Sequence, residues 1–147
     1  MRPIALLVAT LFAASAIAAE RGTPDEAKAM LQKAAAHYKA MGRKQALADF
    51  TARKGPFADR DLYVVCIGSD RLVSAHGLAA GYVGTTVDAM KDSDGKPLGA
   101  SIWDAGSGKG QGAVHYRMLN PVSGKTEPKV GFVQKVGDDT CLVGAYK

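Results

Sequence analysis

The chain has 147 residues, of which 47% are hydrophobic, and its 19 Lys and Arg outnumber its 14 Asp and Glu to give a net charge of +5. A charge this small, without a run of Lys or Arg, is typical of a solvated surface and argues against nucleic-acid binding. The length is that of one ordinary domain, and no repeat or Pro/Ser-rich linker divides it, so we expect a single hydrophobic core.

The first 18 residues have the pattern of a secretory signal peptide. Arg2 supplies the positive start, residues 4–14 the apolar run, and residues 16–18 the small-x-small cleavage site. The run is too short to span a bilayer comfortably. Cleavage after Ala18 would leave residues 19–147 as one domain with 18 basic and 14 acidic residues, a net charge of +4. We expect this domain to be periplasmic or secreted, with no membrane span.

Residues 24–53 are predicted to be helical. Thr23 is a suitable N-cap, and Pro24 fits the first helical position. Apolar residues then follow one helical face until Gly42, which ends the helix. The members of this face are Ala27, Met30, Leu31, Ala34, Ala35, Tyr38 and Met41. A second, shorter helix is predicted before Gly55.

The hydrophobic period then changes from 3.6 to 2 or to continuous apolar runs, which favour strands. Five strands are predicted, over residues 62–68, 72–76, 113–119, 129–136 and 141–147. The first is apolar on both faces, as a covered central strand would be. In the third, Val114, Tyr116 and Met118 alternate with His115 and Arg117, which places Tyr116 on the apolar face.

Residues 77–112 interrupt the succession of strands and are too long for a turn. They contain a predicted short helix over residues 97–105, with Trp103 on its apolar side, followed by a predicted flexible loop, GSGKGQG. A segment of this kind laid over one face of a sheet commonly forms the wall of a small pocket.

The cysteines, Cys66 and Cys141, are even in number, which in an exported protein favours a disulfide over a metal site or a catalytic thiol. Neither lies in a CxxC or CxxCH motif, which argues against redox chemistry and haem attachment.

The order of short motifs resembles a known family. A helix ends before a GPF turn, and an LYV strand is followed by a strand ending in Ala-His; then come a D-x-x-G-K segment, a glycine-rich loop, a V-x-Y strand, an N-P turn, a P-K-V strand and a last strand ending in G-x-Y. From about Asp25 to Tyr146, the sequence resembles a single Cache domain, the small-ligand sensor module of extracytoplasmic bacterial receptors.

The resemblance implies an α+β fold in which a long N-terminal helix packs on one face of a five-stranded antiparallel PAS-like sheet. The ligand pocket would lie on the other face, under the crossover segment, and no cofactor is implied. The first and last strands would be neighbours, which would place Cys66 beside Cys141. Family members usually sit between the transmembrane helices of a receptor. This chain is expected to be free-standing, and a membrane-bound receptor is therefore a candidate partner.

The resemblance also implies a ligand site and a function, the binding of a small organic acid or similar metabolite. Lys129 would supply a positive charge at the pocket wall, Tyr116 and His76 would make hydrogen bonds, and Trp103 would provide an apolar lid. Since Lys129 is expected at the start of a strand, we predict that it has little packed area. The residues alone also fit another interpretation, in which Lys129 is a solvated surface lysine and Tyr116 and Trp103 are core residues.

Two other classes of function are also open. A hydrolytic enzyme would need His76 or His115 as a base beside Asp92 or Asp104, but no hydrolase, metalloprotease or phosphate-loop motif accompanies them. The DSDG segment lacks the spacing of an EF-hand calcium site. The third class is an interaction or structural module that keeps the fold with a vestigial pocket.

Overall fold

The computed structural model describes residues 21–147, so the predicted signal peptide lies outside the described residues. The helices in this range are α1 (Pro24–Met41), α2 (Arg43–Thr51) and α3 (Leu98–Lys109), with 3₁₀ turns at Gly55–Phe57, Ala80–Tyr82 and Val87–Ala89. Within residues 21–147, no helix has both the length and the apolar character needed to cross a membrane.

The strands form one antiparallel sheet. They are β1 (Ala58–Asp59), β2 (Leu62–Ile67), β3 (Val73–His76), β4 (Gln111–Leu119), β5 (Thr126–Val136) and β6 (Asp139–Tyr146). Their order is β1-β2-β6-β5-β4, and β3 also pairs with β2. The five predicted strands and the α+β class are confirmed, and the two-residue β1 is an addition that the sequence analysis missed.

Helix α1 begins and ends where its capping residues predict. The Thr23 side chain accepts a hydrogen bond from the Glu26 N–H, and the Glu26 side chain accepts one from the Thr23 N–H, which forms a capping box. Gly42 ends the helix with a φ of 83°. Most of the predicted apolar face is buried, but Ala35 is only partly buried and Met41, at the end of the helix, is 54% exposed.

The sheet separates two apolar clusters, one on each face. Helices α1 and α2 cover the first face, where Leu62, Val64 and Val143 lie among the buried residues. Helix α3 and the segment before it cover the second face, where Tyr63, Tyr116 and Leu142 are buried. The site described below lies on this second face.

The disulfide joins the two central strands. Cys66 in β2 lies directly opposite Cys141 in β6, and the two form a disulfide that is fully buried. The predicted pairing is confirmed.

A buried carboxylate ties the helices to the sheet. Asp139 is fully buried and accepts hydrogen bonds from the Tyr38 hydroxyl at 2.6 Å, the Arg43 guanidinium at 2.8 Å and the Ser74 hydroxyl at 2.6 Å. These donors come from α1, α2 and β3, so one side chain fixes three elements against the start of β6.

The prediction of a flexible loop at residues 106–112 is wrong. Helix α3 continues to Lys109, Gly110 ends it in the left-handed region with a φ of 76°, and β4 begins at Gln111. Gly106 is needed for close packing, because a Cβ there would lie 2.3 Å from Thr140 Cγ2. Gly106 and Gly110 therefore serve helix packing and capping.

Candidate functional site

Lys129 lies inside a strand, which corrects the expectation that it begins one. Strand β5 starts three residues earlier, at Thr126, and Lys129 is only 1% exposed. The prediction that Lys129 has little packed area is therefore wrong. Its neighbours in register are Tyr116 in β4 and Tyr146 in β6. Two aromatic side chains thus flank the lysine across the sheet.

A glycine in β6 makes room for these side chains. A Cβ at Gly144 would lie 2.4 Å from the Tyr116 hydroxyl and 2.8 Å from Lys129 Cε. Because glycine has no Cβ, both side chains cross β6 towards β2. They reach the part of the second face where Tyr63 lies.

The ammonium of Lys129 is surrounded by aromatic rings. It donates a hydrogen bond to the Tyr63 hydroxyl at 3.3 Å, and it lies 4.5 Å from the ring centroids of Tyr63 and Tyr146. Among residues 21–147, no carboxylate forms an ion pair with it. Burial lowers the pKa of Lys129 to about 8, and the charge of Asp61 acts in the opposite direction. The group is therefore largely cationic at neutral pH.

His76 forms the next part of the wall and is neutral. Its ring stacks between Tyr63, at a centroid distance of 5.7 Å, and Tyr82, at 5.4 Å. Nδ1 accepts hydrogen bonds from the backbone N–H groups of Leu78 and Ala79, at 3.3 and 2.9 Å, which places the proton on Nε2. Burial, and then the nearby Lys129 charge, lower the pKa of His76 to about 4. Nε2 is thus available as a hydrogen-bond donor.

Tyr63 and His76 line a cavity of about 260 Å³ between the sheet and the crossover segment. The rest of the lining is mostly apolar and includes Met90, Leu98, Met118, Leu119 and Pro121. The exposed Lys91 also lines the cavity and is, among residues 21–147, its one other basic side chain. Lys129 lies behind the Tyr63 hydroxyl. Since that hydroxyl accepts from Lys129, its own proton is free to donate to a group in the cavity. The cavity thus combines apolar walls with a polarised donor, a form typical of small-ligand sites.

Larger clefts lie elsewhere on the described part of the chain. They have volumes of about 440, 450 and 630 Å³ and flank α1 and α2. No buried ionisable side chain lines any of the three. His76 lines the cavity of about 260 Å³, and Lys129 and Tyr116 line a separate cleft of about 220 Å³ whose other lining residues are mostly charged. We take the cavity of about 260 Å³ as the candidate site because its walls are mostly apolar.

The structure brings three of the four predicted ligand residues to one region, and Trp103 lies elsewhere. His76 and Lys129 both contact Tyr63, and the Tyr116 hydroxyl lies over Gly144 beside the lysine. The Trp103 ring instead lies 5.6 Å from the ammonium of Lys135. Lys135 is six residues from Lys129 on the same strand, about 20 Å away. Trp103 is therefore not a lid over Lys129 in this structure.

The side-chain pairs that a hydrolase would need are not formed. Asp92 accepts hydrogen bonds from the backbone N–H groups of Asp94, Lys96 and Arg117, and His76 accepts from backbone groups. Within the described residues, neither carboxylate proposed as a partner, Asp92 or Asp104, pairs with a histidine. The histidine that does pair with a carboxylate is His37, whose Nε2 lies 2.9 Å from Asp49, between α1 and α2.

Three tyrosines of the site were not singled out from the sequence. Tyr63 lies in the continuous apolar run of β2, Tyr146 comes at the end of the chain, and Tyr82 belongs to the irregular crossover segment. The period-2 pattern does place Tyr63 on the same face as Val65 and Ile67. That face was not identified as the ligand side because every residue of β2 is buried.

Acid conditions should destabilise the domain through His76. The folded-state pKa of about 4 lies below the ordinary value of 6.5, so stability contributed by neutral His76 is lost as pH falls between these values. The variant His76→Asn keeps an acceptor for the Ala79 N–H and does not titrate. We expect its free energy of unfolding to fall by up to about 3 kcal/mol less than that of wild type from pH 7 to pH 4, as measured by urea unfolding. Equal losses in the two proteins would contradict this assignment.

A known protein family matches most of the chain. The model for single Cache domain 2 matches residues 9–145. The chain belongs to the single Cache domain family. The match begins inside the segment predicted as a signal peptide, and it includes every described residue of the site except Tyr146. No protein of curated function matches this chain.

Solved structures share this Cache fold. A methyl-accepting chemotaxis protein from Vibrio parahaemolyticus superposes with a TM-score of 0.68 and 20% identity over 83% of this chain and 86% of that chain. A Cache chemosensory domain solved to explain its carboxylic acid recognition has a TM-score of 0.60 and 20% identity, with coverages of 83% and 86%. The periplasmic sensor domain of a chemotaxis protein gives 0.61 and 21%, with coverages of 83% and 88%.

Proposed function

We propose that this Cache domain binds a small organic acid on the outer side of the cytoplasmic membrane, as a sensor-type binding domain without catalytic activity. The single observation that carries the proposal is the buried ammonium of Lys129, which has no carboxylate partner among residues 21–147. A charge buried in this way costs stability unless something compensates it. A ligand carboxylate would supply a negative charge close to the ammonium.

The contacts suggest how an acid would be held. Lys129 has three N–H donors, and Tyr63 accepts from one of them. A ligand carboxylate at the floor of the cavity would accept from the Tyr63 hydroxyl, which the ammonium polarises, and from His76 Nε2. The Tyr116 hydroxyl, which lies beside Lys129, is a further donor. The apolar walls favour a ligand with a short hydrocarbon body, and the volume of about 260 Å³ limits its size.

The fold neighbours are compatible with this proposal. One of them is a chemosensory domain that recognises carboxylic acids, and the others belong to chemotaxis proteins. Cache chemosensory domains bind small ligands and sit in membrane receptors. A membrane-bound receptor is thus the proposed partner of this domain, and Leu78, Tyr82 and Leu119, which are 42%, 38% and 54% exposed beside the cavity, are candidates for the contact.

A thermal-shift comparison tests the proposal. Acetate, propionate and butyrate should raise the unfolding midpoint of the domain, and their uncharged amides should not, because only the acids carry the countercharge. Calorimetry with the most effective acid should show that Lys129→Met weakens binding about tenfold to a hundredfold, because it removes the positive charge that attracts the acid and polarises the Tyr63 hydroxyl.

Lys135→Met is the matched control for this experiment. Lys135 lies on the same strand but is exposed to solvent near Trp103, so the affinity of this variant should equal that of wild type. Lys129→Gln keeps a donor without the charge and should give an affinity between those of wild type and Lys129→Met. Equal affinities of wild type and Lys129→Met would show that Lys129 does not take part in ligand binding. If no acid binds, the fold would instead serve as an interaction module with a vestigial pocket.

A further inference from the structure

Asp61 is a buried carboxylate with an unpaired oxygen. It is 2% exposed, and its Oδ1 accepts a hydrogen bond from the Gly22 N–H at 2.6 Å. Its Oδ2 has no hydrogen-bond partner among the described residues. A buried carboxylate lowers the stability of the fold unless it is neutralised or hydrogen-bonded. The burial of Asp61 therefore requires a compensating interaction.

Asp61 lies in the turn that leads into β2, two residues before Tyr63, whose hydroxyl accepts from Lys129. The pairs of β2 with β6 run from Ile67 to Val64, which lies opposite Val143; if this antiparallel register is continued, the Asp61 position falls opposite Tyr146. Tyr146 stands opposite Lys129 in β5. Two strand spacings, or about 10 Å, therefore separate the carboxylate position from the lysine position. The region between them is filled by the aromatic rings of Tyr63 and Tyr146, so the charges interact through protein rather than bulk water.

The other ionisable groups around Lys129 do not compensate its charge. Glu127 lies two residues before it, but its carboxylate oxygens accept hydrogen bonds from Arg21 at 2.6 Å and Asn120 at 2.8 Å. The neighbouring tyrosines and His76 are neutral at physiological pH, since burial raises the pKa of Tyr63 to about 12 and lowers that of His76 to about 4. A cleft of about 220 Å³ beside Lys129 contains further charged or titratable groups of both signs, namely Asp92, Asp94, Lys96, His115, Arg117 and Lys147.

We propose that Asp61 is the internal counterion of Lys129: it keeps the lysine protonated and thereby sets the pH range over which the cavity accepts an anion. The inference about anion binding rests on the proposed function, whereas the charge pairing does not. Asp61 is a positioning residue in this scheme, because it acts on the ligand through Lys129 and lies outside the cavity lining.

The direction of the effect follows from the two charges. Burial lowers the pKa of Lys129 to about 8, and the Asp61 carboxylate opposes that change. Without the carboxylate, Lys129 loses its proton at a lower pH, and its attraction for an anion is lost there. The same carboxylate also repels an anionic ligand. Removing it should therefore favour binding at pH 6, where Lys129 stays protonated, and disfavour binding at pH 8.

A titration of Lys129 tests the charge pair without any ligand. The ¹³Cε resonance of Lys129, assigned by its loss in Lys129→Met, is followed by NMR against pH. In Asp61→Asn the midpoint should move down by about one pH unit, which is the effect of one unit charge about 10 Å away at an effective dielectric constant of about 20. Asp49→Asn is the matched control, because Asp49 is also a buried carboxylate but lies in α2 on the opposite face of the sheet. It should leave the midpoint unchanged.

Affinity for propionate, measured by calorimetry at pH 6 and pH 8, tests the consequence for binding. Asp61→Asn should bind as tightly as wild type or more tightly at pH 6, and about fivefold more weakly at pH 8, from the smaller ammonium fraction. A merely structural defect would weaken binding at both pH values and would overturn the role in binding. Asn keeps an acceptor for the Gly22 N–H, and Asp61→Ser is a second variant should Asp61→Asn not fold.

The two tests separate the two proposals. An unchanged Lys129 midpoint in the folded Asp61 variants would overturn the charge pair. If the Lys129 midpoint moves in these variants but the protein binds no acid, the result would support the charge pair and contradict the proposed function.

Discussion

Removing the disulfide by the double substitution Cys66→Ala and Cys141→Ala is expected to lower the free energy of unfolding by about 4 kcal/mol. The bond joins residues 75 apart in sequence, so its loss frees a long segment of the unfolded chain. It also lies between the two central strands, β2 and β6, where both side chains are fully buried. Urea unfolding of the wild type and the variant measures the difference.

A reductant provides the control for this experiment. It should lower the unfolding midpoint of the wild type and leave that of the alanine variant unchanged, because the variant has no disulfide to lose. A wild-type protein whose stability is insensitive to complete reduction would contradict the expected contribution of the bond. Thiol labelling of the denatured, unreduced protein should find no free cysteine.

Local signals in the sequence predicted much of the fold. The limits of α1 follow from Thr23 and Gly42, because capping depends on neighbouring residues. The strands were recognised from their period, with ends that differ by up to three residues. The even number of cysteines suggested the disulfide, and the resemblance to the Cache family strengthened that prediction because it implies that the first and last strands are neighbours.

The details of the site could not be predicted in the same way. The burial of Lys129 depends on Gly144, which lies in another strand and provides space for the lysine side chain. No local pattern relates these two residues. Trp103 was assigned to the ligand site because it is an apolar aromatic residue of the crossover segment, but the length of β5 separates it from Lys129. Distances along a strand are set by the register, which a sequence without its pairings does not give.

The buried charged groups of the site lower the stability of the folded protein. Lys129 is buried, while on the same face of the sheet Asp61 is buried with one unpaired oxygen. Residues used for binding are commonly less favourable for stability than apolar substitutes, because the geometry that suits a ligand leaves polar groups unsatisfied without it. The size of this cost is measurable at Lys129.

Lys129→Met is expected to raise the free energy of unfolding by about 2 kcal/mol at pH 7 in the absence of ligand. The pKa of Lys129 is lowered to about 8 from the ordinary value of 10.5, and a change of this size corresponds to a penalty of about 3 kcal/mol for the buried charge. The contacts with the Tyr63 and Tyr146 rings offset part of that penalty. Methionine fills a similar volume without a charge. Urea unfolding at pH 7 measures the gain, and Lys135→Met, at an exposed position, should show almost none.

The pH dependence of this gain identifies its cause. Below pH 8 the lysine is protonated in both the folded and the unfolded chain, and the full penalty is present. Between about pH 8 and 10.5 the unfolded chain binds the proton and the folded one does not, so wild-type stability rises with pH relative to Lys129→Met. The advantage of the methionine variant should therefore shrink as pH rises from 8 to 10, and tyrosine ionisation, common to both proteins, cancels in the difference. A gain that is constant with pH would point to packing, and a loss of stability would show that the ring contacts outweigh the burial of the charge. A variant that is more stable and yet no longer binds an acid would show that Lys129 is retained for the ligand.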